Sequence, residues 1–98
     1  MLKRKWGDCE DYAFLNAAFL RVFGYQSTVL ALGGFRRSHA ICVFKEDGYY
    51  LWLDNSELRK TKERSIINFS KQLFMEYGCT SLLELNFDTK EYKTLFTR

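Results

Sequence analysis

Proline is absent from this sequence of 98 residues, histidine occurs once, and no apolar run approaches the roughly eighteen residues of a membrane-spanning helix. Each absence removes a class of protein. Without proline there is no proline-rich linker, so the chain is punctuated by its six glycines and by short polar clusters; it has no internal repeat and no low-complexity stretch. The three cysteines, Cys9, Cys42 and Cys79, are odd in number and include no CxxC. That argues against a disulfide scaffold and fits a reducing compartment, and with a single histidine neither a metal site nor a cofactor is expected. The opening MLKRKWGDCED has basic residues but no apolar segment behind them before acidic residues intervene, so no secretion signal is expected and the implied location is cytoplasmic. Fifteen Lys and Arg against twelve Asp and Glu leave a net charge of +3, spread too thinly to point to nucleic acid or a membrane surface.

What is present is apolar and aromatic. A hydrophobic content of 47%, with 17% aromatic residues, is enough for one compact core and not for two, so residues 1–98 are expected to form one domain. Residues 8–23, DCEDYAFLNAAFLRVF, read as a helix with Asp8 as N-cap and Gly24 beyond its C-terminal end. Its polar stripe is narrow, which predicts a central helix covered on several sides. STVLAL (27–32) reads as a strand, and SHAICVF (38–44) and YYLWLD (49–54) flank an Asp47-Gly48 turn as a β-hairpin. Both faces of that hairpin are apolar, with Ile41, Val43 and Trp52 on one and Cys42, Phe44, Leu51 and Leu53 on the other, which places it inside a sheet. The mixed charge run ELRKTKER (57–64) reads as an exposed connection, residues 62–77 as an amphipathic helix, and SLLELNF (81–87) with EYKTLF (91–96) as a second hairpin. The fold class is therefore α+β: an N-terminal helix packed on a small antiparallel sheet, a second amphipathic helix and a C-terminal hairpin.

The candidate chemistry begins at GDCEDYA. With Asp8 as cap, Cys9 takes the first helical position, where unpaired N–H groups and the positive end of the helix dipole favour a thiolate. Its neighbours then have structural roles: Asp11 as the partner in a capping box, Tyr12 as part of the buried stripe. A nucleophilic thiol needs a base, and the one histidine, His39, opens the first hairpin strand. A two-residue Asp47-Gly48 loop pairs Val43 with Trp52, Ile41 with Asp54 and His39 with Ser56. His39 and Asp54 then lie on one face as diagonal neighbours, roughly 7–8 Å apart between Cα atoms. A three-residue loop would turn Asp54 to the other face.

GDCEDYA at a helix start, followed by SHAICVF and then YYLWLDN, resembles the transglutaminase-like superfamily, and within it the bacterial transglutaminase-like cysteine proteinases. The resemblance covers residues 7 to about 58. It implies a papain-like arrangement with Cys9 as nucleophile, His39 as general base and acid, and Asp54 as the orienting carboxylate. It further implies thiol-dependent acyl transfer on a peptide or other amide. The backbone N–H of Cys9 is a natural oxyanion donor. In the resembling family the second donor comes from sequence before the cysteine, where the Trp6 indole is the one candidate here; packing against the helix start is its plainer role. A partner or a larger protein completing that wall of the cleft is the corresponding expectation. Arg36 and Arg37, just before His39, suit either the mouth of a cleft or a solvated turn, and the turn is the plainer of the two. Two rival functions stand beside the enzyme: the same fold without turnover, acting as a binding module, and a small nucleic-acid-binding domain, against which the core positions of the aromatics count.

Overall fold

The computed structural model describes residues 5–33 and 39–97, and for residues 5–8 the backbone only. The chain runs α1 (Lys5–Val22), β1 (Ser27–Gly33), β2 (His39–Glu46), β3 (Tyr49–Asp54), β4 (Glu57–Lys60), α2 (Ile66–Tyr77), β5 (Ser81–Leu85) and β6 (Tyr92–Thr97). All pairings are antiparallel, in one six-stranded sheet ordered β4-β3-β2-β1-β5-β6. The α+β class and the two hairpins agree with the sequence reading, and the first hairpin is interior, flanked by β1 and β4.

Pleat alternation divides the core in two. Leu30, Leu32, Ile41, Val43, Trp52 and Leu82 point to one face, where α2 covers them with Phe69 and Leu73. Val29, Ala40, Cys42 and Leu85 point to the other, where α1 lays down Cys9, Ala13 and Ala17. The helices therefore sandwich the sheet. Small residues on α1 let its backbone approach the strands closely, and Ser27 Oγ donates to the Ala17 carbonyl at 2.6 Å across that contact.

Register is set by the turn that the sequence pointed to. Asp47 and Gly48 both have positive φ, 56° and 84°, as a two-residue type I′ loop requires. Glu46 pairs with Tyr49 and Val43 with Trp52 as expected.

Four expectations are corrected. The helix begins at Lys5, not after Asp8, because one interior glycine, Gly7, costs only about 1 kcal/mol relative to alanine and Lys5 and Trp6 accept helical geometry. Asp8 is thus no cap and Asp11, exposed within the helix, is no capping-box partner. Nor is α1 enclosed: Tyr12 (53%), Leu15 (68%) and Phe19 (65%) are exposed, since only the Cys9-Ala13-Ala17 face meets the sheet. The run 57–64 is not a plain connection. Residues 57–60 form the edge strand β4, and Tyr50 N–H donates to the Glu63 carbonyl at 3.0 Å. Its charged side chains hid it, because an edge strand is buried on neither face and carries no apolar alternation. Finally, α2 starts at Ile66 rather than at residue 62, because Ser65 caps it, accepting from the N–H groups of Ile67 and Asn68.

Candidate active site

The hairpin brings His39 and Asp54 together. His39 opens β2 and Asp54 ends β3, and the imidazole Nε2 lies 2.7 Å from Asp54 Oδ1. Their side chains keep 28% and 21% of their surface accessible, so the pair is half-buried and open on one side. An ionised carboxylate only accepts hydrogen bonds, so Nε2 carries a proton in this contact, and in the neutral ring Nδ1 is left with the lone pair.

Cys9 sits at the other side of the start of β2. It is 6% exposed, on the α1 face, against Ala40, the residue that follows His39. Burial is the largest influence on the thiol and raises its pKa above the ordinary value. The backbone N–H groups of Ala40, Cys9 and Glu10 act against that, and the Glu10 carboxylate adds to it. This corrects the expectation of a thiolate favoured by a helix end. Cys9 is the fifth residue of α1, past the unpaired first turn, and a regular helix directs its own N–H to the carbonyl four residues back. The other two thiols are core: Cys42 is wholly buried, its pKa pushed up to about 12 by desolvation, and Cys79 is 2% exposed beneath α2.

Two tyrosines from the part of the chain without motifs reach this region. Tyr77, the last residue of α2, donates from its hydroxyl to Asp54 Oδ2 at 2.7 Å and accepts from the Trp52 indole N–H at 2.9 Å. Burial and the Asp54 carboxylate hold its phenol well above the usual range, so it remains a donor. Tyr92, on β6, donates to the Glu10 carboxylate at 2.5 Å, beside the thiol. Neither was identified from sequence as part of a site. For Tyr77 the available signal was a polar-tipped aromatic closing an apolar helical stripe just before the left-handed Gly78.

The side chain of Trp6 and the whole of Arg36 and Arg37 lie outside the described residues. Among the described residues no group of three or more His, Cys, Asp or Glu could hold a metal ion, and no helix is long and apolar enough to cross a membrane.

A family model described as a transglutaminase-like domain matches residues 1–75, which include Cys9, His39 and Asp54. No curated protein and no solved structure gives a significant match.

Proposed function

Because the chain belongs to the transglutaminase-like domain family, we propose that it is a thiol-dependent acyl-transfer enzyme of papain-like arrangement, with Cys9 as nucleophile, His39 as general base and acid, and Asp54 orienting the imidazole. The observation that carries this reading is the 2.7 Å contact between His39 Nε2 and Asp54 Oδ1. It occupies one ring nitrogen and leaves Nδ1 as the nitrogen through which His39 would act as a base.

Burial raises the pKa of Cys9, so the thiol rests neutral and its ionisation is coupled to transfer of its proton to His39. The sulfur then attacks an amide carbon, the imidazolium returns the proton to the leaving amine, and a thioester remains. Water or a second amine, deprotonated by His39, attacks the thioester and releases the thiol. The substrate class is a peptide or another amide. An odd number of cysteines with no CxxC suits a reducing, cytoplasmic setting.

Alkylation tests this directly. With iodoacetamide at pH 6, Cys9 is expected to react at least about tenfold faster than Cys42 and Cys79 and to lose that lead in His39→Ala. All three sulfurs belong to residues no more than 6% exposed, so accessibility alone does not create such a lead. Slow, equal labelling of all three sinks the enzyme. It leaves the second reading, a binding module of the same fold, which the burial of Cys9 favours.

A further inference from the structure

We propose that Tyr77 is a positioning residue of this site, fixing the Asp54 carboxylate, and through it the tautomer of His39, by donating its hydroxyl to the oxygen that His39 does not use. The inference rests on the Cys9-His39-Asp54 reading and extends it to a residue beyond the matched residues 1–75.

The direction of every proton in this chain of contacts follows from its ends. The Trp52 indole can only donate, and it lies 2.9 Å from the Tyr77 oxygen. Trp52 is 1% exposed, so no solvent partner substitutes for that acceptor. The tyrosine oxygen therefore accepts from the indole, and its single proton points at Asp54 Oδ2, 2.7 Å away. Asp54 then has Oδ1 free to accept from His39 Nε2–H at 2.7 Å. A carboxylate held at one oxygen turns about its own axis. Held at both, it presents a fixed acceptor, and Nδ1 stays the basic nitrogen.

The fold holds Tyr77 firmly enough for this. Phe69 and Leu73 anchor α2 on the sheet with no exposed surface. Gly78, at φ 65°, closes the helix with its N–H on the Phe74 carbonyl. Next to Tyr77, Glu76 pairs with Arg59 of β4 at 2.6 Å. The His39 and Tyr77 rings lie 5.7 Å apart between centroids.

The experiment uses the full chain without a histidine tag, so that His39 is the single imidazole and its ring nitrogen resonances need no assignment. In the wild type the neutral ring is expected to be the Nε2–H tautomer. In Tyr77→Phe the Nδ1–H form should appear, and Cys9 alkylation should slow roughly tenfold, the worth of one charge-assisted hydrogen bond. In an Asp54→Ala background Tyr77→Phe should slow it no further. An unchanged tautomer in Tyr77→Phe, or equal slowing with and without Asp54, overturns the proposal. Since Tyr77→Phe leaves the Trp52 N–H unpaired and threatens folding, the Trp52→Phe/Tyr77→Phe double variant removes both partners and must show the same tautomer change. Equal, slow labelling of all three cysteines would sink the acyl-transfer reading instead, and the tautomer would still decide the role of Tyr77.

Discussion

At the scale of single residues, the site is a set of hydrogen-bond directions. Asp54 accepts on both oxygens, from His39 and from Tyr77. Asp54→Asn keeps the size and reverses one direction. Its amide oxygen would take the Tyr77 proton, leaving the NH₂ to face His39 Nε2, which must then carry a lone pair. The proton moves to Nδ1, the wrong nitrogen for a base. Cys9 alkylation at pH 6 is expected to fall on the order of 100-fold, as when a general base is lost, with the fold unchanged by circular dichroism. Cys9, His39 and Asp54 could be named from sequence as candidates because each has a distinctive chemistry and a local context. Tyr77 could not, since it differs from any other helix-stripe aromatic only through Asp54, 23 residues away in the chain.

At the scale of elements, the β2–β3 hairpin carries the site. Its register is held twice, by the Asp47-Gly48 turn and by the buried faces of Ile41, Val43 and Trp52. The two can be separated. At Gly48, φ is 84° and an added Cβ would meet nothing nearer than Arg64 at 3.7 Å, so Gly48→Val suffers backbone strain without a clash. Urea denaturation is expected to show a loss of roughly 1–2 kcal/mol. Cys9 labelling in the folded protein should keep its wild-type rate, because the buried faces alone hold Asp54 beside His39. Elements with a strong local signal, such as this hairpin and α2, were legible in the sequence. The beginning of α1 and the strand β4 were not: Asp8 offered a good cap that the chain does not use, and β4 forms because β3 offers it an edge.

At the scale of the whole molecule, the buried ionisable groups set the response to alkali. Cys42 is raised from 9.0 to about 12 by burial, and Tyr50, Tyr77 and Tyr92 are all raised above 10.0, with burial the largest cause in each. The unfolded chain releases these protons first, so the stability that their neutral forms contribute is complete below about pH 9 and is lost as pH rises through the folded values. The thermal midpoint, followed by circular dichroism, is expected to be level between about pH 7 and 8.5 and to fall steadily above about pH 9.5. An α+β chain with an interior hairpin, and the facing of His39 toward Asp54, were determined by the sequence itself, because alternation and turn chemistry act over a few residues. Three matters were decided only by tertiary structure: the burial that keeps Cys9 a neutral thiol, the open side of α1, and the arrival of Tyr77 at the carboxylate. Each depends on which surfaces the sheet brings into contact across long stretches of chain, and desolvation and hydrogen-bond direction exist only once those surfaces have met.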